Sequence, residues 1–450
     1  MGPHLVCPSS SIQISSGQLG TSTYLGRGVP SWDTRAPASL ERAPGSSLGL
    51  NGALSGGLAN FGNWLTRIGN TTDRNGAWTW TGAHVSNIDA RMPNLKGLVL
   101  AGGTGTRLRP ITHTSAKQLV PLANKPILFY GLEALAAAGV KEVGMIVGET
   151  RAEVMAAVGD GGAFGLEVTY IPQEEPLGLA HCVSLAGGFL GDDDFVMFLG
   201  DNLIRDGIVA FAESFSSRAS NTVAEILLAR VPDPHRFGVA ALDLDGRVVR
   251  LVEKPKDPPS DLALVGVYFF DSTIHRAVAA ITPSARGELE ITDAIQWLID
   301  NGFRVSSKLI SGYWKDLGNP EALLEGNRLV LEDIEQRIDG QLDDESVVEG
   351  RVVIEVGASL VRSRVRGPAI IGADCVLEDA FVGPFTSLGE RCELRSSELE
   401  NSIVLGGTSI VGVGRLEGSI VGKQAVIRKR RLLPRANRLV VGDHSIVDLA

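Results

Sequence analysis

From about Gln341 to the C-terminus, an aliphatic residue precedes glycine at intervals of about six residues, as in hexapeptide-repeat proteins. Small or polar residues fill the intervals in segments such as "VVIEVGASLV", "AIIGADCVLEDAFVG" and "SIVLGGTSIVGVG". Repeats of this length bury their aliphatic residues by stacking successive turns of the chain. An ordinary sandwich of short β-strands is the alternative, but the recurring Ile/Val-Gly pairs favour the stack. We therefore predict a left-handed parallel β-helix over residues 336–450.

Before the repeat, strand-like and helix-like segments alternate from Leu95 to about Leu331. "GLVLAG", "EVGMIVG", "LEVTYIPQ" and "DFVMFLGDN" are typical of buried strands, and "ILFYGLEALAAAG" and "RAEVMAAVGD" of helices. This order predicts an α/β domain over residues 92–335, with a doubly wound, mostly parallel sheet. Ligands bind beyond the carboxyl ends of the strands in such sheets.

Residues 1–91 differ in composition from the rest of the chain. They are rich in Ser, Gly, Asn and Thr, and four of the six tryptophans of the chain lie among them. The segment is either a functional appendage or an extension with little bearing on the fold. Because it shows little sustained periodicity, we favour a low-order N-terminal extension, with Met92 as a candidate start of the protein.

Composition limits the possible partners. A net charge of −10 argues against a nucleic-acid ligand, because no basic surface dominates. The four cysteines show no C-x-x-C spacing, which indicates reduced thiols rather than a zinc site or a disulfide framework. The sequence contains no apolar run of membrane-spanning length and no signal-peptide core. We therefore expect a cytoplasmic protein.

The segment Leu98–Pro126 begins with a glycine-rich turn that matches neither a Walker A loop nor a dinucleotide fingerprint. The glycines permit positive φ and a close approach of backbone N–H groups to an anion, and an arginine and a lysine follow. The pattern indicates an anion site, although a tight β–α turn is an alternative for the turn alone. The residues concerned are Gly102, Gly103, Thr104, Gly105, Thr106, Arg107 and Lys117.

The whole stretch "LAGGTGTRLRPITHTSAKQLVPLANKP" resembles the signature of the sugar-1-phosphate nucleotidyltransferases, and further matches extend over residues 95–330. The resemblance implies that Arg107 and Lys117 are catalytic, together with Lys254. It also implies that the nucleotide is bound by Leu100, Gly102, Gly103, Thr104, Gly105 and Thr106. In "VTYIPQEEPLGLAHCV", Gln173 and the backbone of Gly178 are then expected to read a pyrimidine base.

The same resemblance assigns the metal and the sugar sites. Asp201 in "FLGDN" and Asp316 in "YWKDLGN" are expected to bind Mg²⁺. The sugar phosphate is expected to contact Gly238, Glu253, Lys254, Gly266, Tyr268 and Arg286. Because the attacking phosphate is already an anion, the reaction needs no base, and we interpret His113, His181, His235 and His275 as loop or helix-surface residues.

"RGELEITD", "VEKP" and "YIPQ" extend the resemblance to the long-form glucose-1-phosphate thymidylyltransferases, which carry a repeat domain. It implies that dTTP and glucose 1-phosphate react with Mg²⁺ to give dTDP-glucose for deoxysugar biosynthesis, rhamnose-type or antibiotic. UTP or a related sugar 1-phosphate stays open, because one methyl group distinguishes bases by only about 1–3 kcal/mol. The short form of these enzymes has an allosteric nucleotide site in a helical C-terminal region. Because a repeat domain replaces that region here, the resemblance does not imply this site in the present chain.

Two other functions are compatible with the same domain plan. Hexapeptide-repeat domains also occur in acyltransferases, which commonly use a histidine base, but His444 is the only histidine after position 335. A non-catalytic regulatory protein would tend to lose the arginine and the metal carboxylates, and this chain retains them. Oligomerisation or regulation is therefore the role that we predict for the repeat domain, and we expect a homo-oligomer.

Overall fold

The computed structural model describes residues 70–72, 78–80, 95–103, 105–113 and 116–429. Thr104, His444, Met92 and most of the N-terminal extension therefore lie outside the described residues, as do the side chains of Thr106 and His113. Two short strands, β1 (Asn70–Thr72) and β2 (Trp78–Trp80), pair in antiparallel fashion. Within the described part of the chain, no helix is long and apolar enough to cross a membrane.

The α/β domain begins with the first convincing strand of the sequence. Its elements are β3 (Lys96–Leu100), β4 (Pro121–Leu122), β5 (Lys125–Pro126), α1 (Ile127–Ala137), β6 (Glu142–Val147), α2 (Arg151–Val158), β7 (Glu167–Pro172), α3 (Leu179–Leu185), α4 (Gly187–Leu190), β8 (Phe195–Leu199), β9 (Asn202–Ile204), α5 (Val209–Ser216), β10 (Thr222–Arg230), β11 (Gly238–Leu242), β12 (Val248–Glu253), β13 (Leu262–Phe270), α6 (Ile274–Ala280), α7 (Ile291–Asp300), β14 (Arg304–Leu309), β15 (Trp314–Asp316) and α8 (Pro320–Leu331).

Nine of these strands form the central sheet, in the order β12-β11-β13-β8-β3-β6-β7, with β10 pairing with β13 and β14. Strands β8, β3, β6 and β7 are parallel, whereas β13 is antiparallel to β8, β10 and β11. Helices α3, α6 and α7 pack on one hydrophobic core, and α1, α2 and α5 on another. The predicted doubly wound α/β domain is confirmed, and its antiparallel strands make the sheet mixed.

The repeat domain consists of short strands that stack in three parallel sheets, in the orders β16-β19-β22-β25-β28-β31, β17-β20-β23-β26-β29-β32 and β18-β21-β24-β27-β30. The strands are β16 (Arg337–Ile338), β17 (Gln341–Leu342), β18 (Val347–Glu349), β19 (Val352–Ile354), β20 (Ser359–Val361), β21 (Arg364–Arg366), β22 (Ala369–Ile371), β23 (Val376–Glu378), β24 (Phe381–Val382), β25 (Thr386–Leu388), β26 (Glu393–Arg395), β27 (Glu398–Glu400), β28 (Ile403–Val404), β29 (Ser409–Val411), β30 (Arg415–Glu417), β31 (Ile420–Val421) and β32 (Val426–Arg428).

Each turn of the repeat domain buries aliphatic side chains against the next turn. Val352 pairs with Ala369, which lies 17 residues further along the chain. Leu360, Leu377, Leu394 and Ile410 recur at equivalent positions in the interior. Three parallel sheets around one aliphatic core are the architecture of the predicted left-handed β-helix.

The α/β domain and the β-helix contact each other through α8 and the hairpin formed by β4 and β5. Asn327 of α8 is fully buried between them. Its Oδ1 accepts hydrogen bonds from the Ala123 backbone N–H (2.8 Å) and from Ser387 Oγ (3.0 Å), and its Nδ2 donates to the Phe385 carbonyl (3.1 Å). The hairpin follows Lys117 closely in the chain, so the β-helix supports the segment that carries this lysine.

Candidate active site

The glycine-rich turn follows β3 and lies beside the carboxyl ends of β6 and β7. A Cβ atom on Gly102 would lie 3.3 Å from the Gly148 backbone N and 3.4 Å from Gln173 Oε1. Gly105 has a φ of 62°, and a Cβ there would lie 2.9 Å from Lys117 Cβ. A residue with a side chain at either position would therefore displace the neighbouring atoms. The backbone of the turn consequently approaches the base-reading and phosphate-binding candidates closely.

The residues around this turn differ in how accessible they are. The Leu100 carbonyl accepts a hydrogen bond from the Gly200 N–H (3.0 Å), which fixes the end of β3 against the end of β8. Gly103 and Arg107 are exposed, and Arg107 lies in a 3-10 helix, Thr106–Leu108. The buried side chain of Gln118 faces Gly103, since a Cβ there would lie 3.4 Å from its Nε2. Sequence reasoning did not identify Gln118.

The two predicted metal carboxylates lie on either side of a lysine. Asp201 follows β8 and Asp316 ends β15, and the Leu317 N–H donates to the Asp201 carbonyl (3.0 Å). Lys117 Nζ forms an ion pair with Asp201 and lies 4.0 Å from Asp316 Oδ1. Burial and the charge of Asp201 raise the pKa of Asp316. The nearby cations Lys117, Arg107 and Arg236 partly offset this increase. Two mutually repelling carboxylates thus face the turn.

This pair of carboxylates fits a divalent cation that a ligand also coordinates. Among the described residues, no group of three or more His, Cys, Asp and Glu side chains could hold a metal ion. Hard cations such as Mg²⁺ take about six oxygen ligands, and Mg²⁺ is commonly bound through one or two carboxylates together with substrate phosphates. Asp201 and Asp316 supply that part of the ligand set, and the glycine-rich turn lies nearby, with Gly103 exposed.

Asn202 and Trp314 support this pair, although the sequence analysis gave neither a role. Asn202 is buried, donates from Nδ2 to Asp201 Oδ1 (3.0 Å), and accepts from Trp314 Nε1 (2.6 Å). A Cβ on Gly266 would lie only 2.7 Å from Asn202 Nδ2. Gly266 therefore leaves room for Asn202, and its predicted contact with a sugar stays a prediction.

The base-reading candidates lie at the end of β7 and the start of α3. Gln173 Nε2 is 3.2 Å from His181 Nδ1 on α3. Gly178 has a φ of 108°, and a Cβ there would lie 2.4 Å from the Leu289 carbonyl oxygen. His181 was expected to be a surface residue. It lies on helix α3, where its partly buried ring contacts Gln173.

The sugar-phosphate candidates Glu253, Lys254 and Arg286 lie together. Glu253 Oε1 is 3.2 Å from Lys254 Nζ and 3.6 Å from Arg286 Nη1. Its Oε2 accepts from Thr292 Oγ1 (3.3 Å) and lies 3.1 Å from the position of a Cβ on Gly238. The cluster therefore presents two cations beside one carboxylate, a combination that suits a phosphate and neighbouring hydroxyl groups.

The deeper side of this cluster is acidic and poorly solvated. Tyr268 is buried in β13, and burial together with the charge of Glu253 raises its pKa. The pKa of Asp293 is raised by the same two causes. Arg286 forms ion pairs with Glu288 (2.6 Å) and with the buried Glu290 (3.2 Å). Arg286 is thus held in place by carboxylates.

Residues 96–333 match the family described as nucleotidyl transferase. The chain is 59% identical over 351 residues to a glucose-1-phosphate thymidylyltransferase of Streptomyces griseus, an alignment that covers 78% of this chain and 98% of that protein. It is also 59% identical over 355 residues to the protein of the same name from Streptomyces antibioticus, covering 79% and 99%. A low-salt glycan biosynthesis nucleotidyltransferase, Agl11, of Haloferax volcanii is 46% identical over 359 residues, covering 79% and 100%.

Proposed function

The chain belongs to the nucleotidyl transferase family, and we propose that it transfers a thymidylyl group from dTTP to glucose 1-phosphate, giving dTDP-glucose and pyrophosphate. The observation that carries this proposal is the position of Lys117 between Asp201 and Asp316, beside the glycine-rich turn. Two relatives that are 59% identical to this chain are glucose-1-phosphate thymidylyltransferases, which supports the choice of both substrates.

The triphosphate binds at the glycine-rich turn. Backbone N–H groups of Gly102, Gly103 and Gly105 cradle its oxygens, since no side chain blocks their approach. Arg107 is exposed next to the turn and holds the β- and γ-phosphates, which later leave as pyrophosphate. Lys117 lies further inside and contacts the α-phosphate.

The reaction is an in-line displacement without a protein nucleophile. A phosphate oxygen of glucose 1-phosphate forms a bond to the α-phosphorus of dTTP, and the bond from that phosphorus to the bridging oxygen of the β-phosphate breaks. Because both reactants are anions, the main task of the protein is to hold them together and to neutralise charge. Lys254 and Arg286 hold the sugar phosphate, and Glu253 accepts hydrogen bonds from glucose hydroxyls.

Asp201 and Asp316 would hold Mg²⁺, which when bound offsets negative charge on the α-phosphate and on the departing pyrophosphate. Without it, Lys117 balances the two carboxylates. Asn202 and Trp314 keep Asp201 oriented through successive hydrogen bonds. The pair is thus positioned before a ligand arrives.

Gln173 and the backbone of Gly178 read the pyrimidine. His181 accepts one hydrogen of the Gln173 amide when its Nδ1 is unprotonated, so the other amide hydrogen and the carbonyl oxygen remain for the base. A glutamine in this orientation matches an N–H group beside a carbonyl, which thymine and uracil share. The product, a nucleotide sugar, suits the synthesis of deoxysugars.

The test is pyrophosphate release by the full chain with glucose 1-phosphate and Mg²⁺, comparing dTTP, UTP, ATP and GTP. We expect dTTP to have the highest kcat/KM, with UTP lower, because UTP lacks the 5-methyl group of thymine and carries a ribose 2′-hydroxyl group that dTTP lacks. Preference for a purine nucleotide would refute the assigned base. No release with any nucleotide from folded protein would refute nucleotidyl transfer itself, and Asp201→Asn provides the inactive control.

A further inference from the structure

The amide of Gln173 has two orientations that carry opposite information for a base. Its oxygen and nitrogen atoms are almost equal in size, so a half turn of the amide exchanges an acceptor for a donor. On the edge formed by N3 and the group at C4, thymine and uracil present a donor beside an acceptor, whereas cytosine presents an acceptor beside a donor. A glutamine that reads this edge therefore discriminates only if its amide is held in one orientation.

The structure holds the backbone of Gln173 and one end of its amide. The Gln173 N–H donates to the Val147 carbonyl at the end of β6 (2.8 Å). Nε2 of the side chain lies 3.2 Å from His181 Nδ1. Oε1 lies on the side of Gly102, 3.4 Å from the position that a Cβ would take there, and it accepts no hydrogen bond from the residues that the structure describes. The oxygen end of the amide is therefore available to a ligand.

The neighbouring Cys182 distinguishes the two amide orientations poorly. Its thiol lies beside the Gln173 amide, and burial raises the pKa of this thiol to about 12, so the thiol stays protonated. Sγ donates its hydrogen to the Gly178 carbonyl at the start of α3 (3.5 Å), and sulfur is only a weak hydrogen-bond acceptor. Of the two α3 side chains that lie beside the amide, His181 is therefore the one that fixes its orientation.

The imidazole of His181 is held in place by the start of α3. The Ala180 N–H donates to the Leu289 carbonyl (3.0 Å), and the Leu289 N–H donates to the Leu177 carbonyl (2.7 Å). The first turn of α3 is thus fastened to the segment that precedes α7. Ala180 is fully buried, and His181 beside it is partly buried. The ring therefore keeps its position next to the end of β7 before any nucleotide binds.

We infer that His181 is a specificity-determining residue, which holds the Gln173 amide in the orientation that accepts thymine or uracil and rejects cytosine. The inference rests on the proposed function, in which Gln173 reads the base. With Nδ1 unprotonated, the imidazole accepts a hydrogen bond from Gln173 Nε2 and leaves the second amide hydrogen and the carbonyl oxygen for the base. After a half turn, the amide oxygen would face the lone pair of Nδ1. Two acceptors would then repel each other, and the hydrogen bond would be lost.

Loss of the imidazole should make the site more permissive instead of merely weaker. In His181→Leu no acceptor favours either orientation of the Gln173 amide. A nucleotide that needs the original orientation should then lose only about twofold in affinity, since half of the molecules present it. A nucleotide that needs the reversed orientation should gain roughly tenfold or more, the equivalent of one hydrogen bond. A purely structural defect would weaken the binding of both nucleotides.

Titration calorimetry of the full chain with Mg²⁺ at pH 8 compares dUTP with dCTP, which differ only on the edge formed by N3 and C4. We expect the wild type to prefer dUTP by roughly tenfold or more. Leucine, asparagine and aspartate have similar shapes, so they form a matched series at position 181. His181→Leu and His181→Asn, which offers both a donor and an acceptor, should bind dCTP roughly tenfold more tightly than the wild type. His181→Asp, whose δ oxygens only accept, should keep the wild-type preference.

The control is His275→Leu, which removes a partly buried histidine of α6 that packs against Phe195. It should leave the affinities for both nucleotides unchanged, and thermal unfolding checks that each variant folds. The inference would be overturned by a wild type without preference, by dCTP binding to His181→Leu that is no tighter than to the wild type, or by loss of the preference in His181→Asp.

Gln173→Ala separates this inference from the proposed function, and binding without a sugar phosphate does not require turnover. The variant should lose the preference for dUTP over dCTP. A preference that survives in Gln173→Ala would show that another group reads the base, which removes both the assigned reader and the role of His181. A preference lost in Gln173→Ala, together with unchanged dCTP binding by His181→Leu, would overturn the role of His181 alone.

Discussion

Removing the charge of Lys117 should have opposite effects on metal binding and on catalysis. In the nucleotide-free protein, the Lys117 ammonium lies where it both neutralises Asp201 and Asp316 and repels an incoming cation. The substitution Lys117→Met removes the cation and leaves both carboxylates in place. We therefore expect the variant to bind a divalent metal ion more tightly than the wild type, while its turnover falls because the α-phosphate loses its cationic contact.

The magnitude follows from the distance and the exposure. Two unit charges 4.0 Å apart, the distance from Lys117 Nζ to Asp316 Oδ1, interact by about 1 kcal/mol in water and about 4 kcal/mol at an effective dielectric constant of 20. The side chains are 13% and 32% exposed, which places the site between these limits. A change of about 2 kcal/mol corresponds to roughly 30-fold tighter binding. Loss of one cationic contact to the reacting phosphate should lower kcat on the order of a hundredfold.

The assay is a titration with Mn²⁺, following free Mn²⁺ by electron paramagnetic resonance without nucleotide. Working at pH 8 limits competition by protons, since loss of Lys117 should raise the pKa of Asp316 further. The matched control is Lys125→Met, which removes an equally buried lysine from the same segment, 2.6 Å from Glu133. Equal or weaker Mn²⁺ binding by Lys117→Met, relative to Lys125→Met, would refute the reasoning.

Three further predictions concern stability. Asp316→Asn should raise the free energy of unfolding at pH 7, although it abolishes activity. Because the pKa of this carboxyl group is raised in the folded state, the wild-type protein loses stability as pH rises from the ordinary value of 3.8 through the raised value. Thermal unfolding from pH 4 to 8 measures this loss of stability in the wild type and its absence in the variant. Gly178→Ala should cost about 1–3 kcal/mol in urea unfolding, because its φ of 108° and the Leu289 carbonyl both oppose a Cβ. Asn327→Ala should cost about 2–4 kcal/mol in the same assay, because it removes three hydrogen bonds and leaves the buried Ala123 N–H without a partner.

Each of these predictions has a matched control in the chain. Asp245→Asn changes an exposed carboxylate and should leave the free energy of unfolding at pH 7 unaltered. Gly187→Ala, in α4 with no atom within 4 Å of the new Cβ, should be neutral or stabilising. A Gly178→Ala variant as stable as Gly187→Ala would show that the α3 start is less constrained than the geometry indicates. Full stability in Asn327→Ala would show that the two domains do not depend on this contact.

The parts of the site that the sequence predicts are those carried by local pattern. Glycines after a buried strand, and carboxylates at strand ends, reach the same edge of the sheet because parallel strands end there. Asp201 follows this rule, as does the turn at Gly102, whereas Asp316 ends β15, which pairs in antiparallel fashion with β9 outside the central sheet. The β-helix was likewise predictable, since its core positions recur along the sequence.

The remaining parts depend on contacts between distant segments. Trp314 reaches Asn202 across 112 residues, and no local spacing relates the two. His181 lies on an ordinary amphipathic helix, and only the packing of α3 beside β7 turns it toward Gln173. Arg236, at the end of a short 3-10 helix (Pro234–Arg236), lowers the pKa of Asp316, and no local motif marks it for this role. Burial and long-range hydrogen bonds, which set these positions, leave no period in a sequence.

Product analysis of one reaction tests the central claim most directly. The full chain is incubated with dTTP, glucose 1-phosphate and Mg²⁺, and the products are identified by mass spectrometry, in parallel with Arg107→Ala and Asp201→Ala. The account predicts dTDP-glucose and pyrophosphate in equal amounts from the wild type, and rates lower by two orders of magnitude or more in both folded variants. Wild-type protein that forms no dTDP-glucose, or variants that retain activity within tenfold of it, would contradict the account.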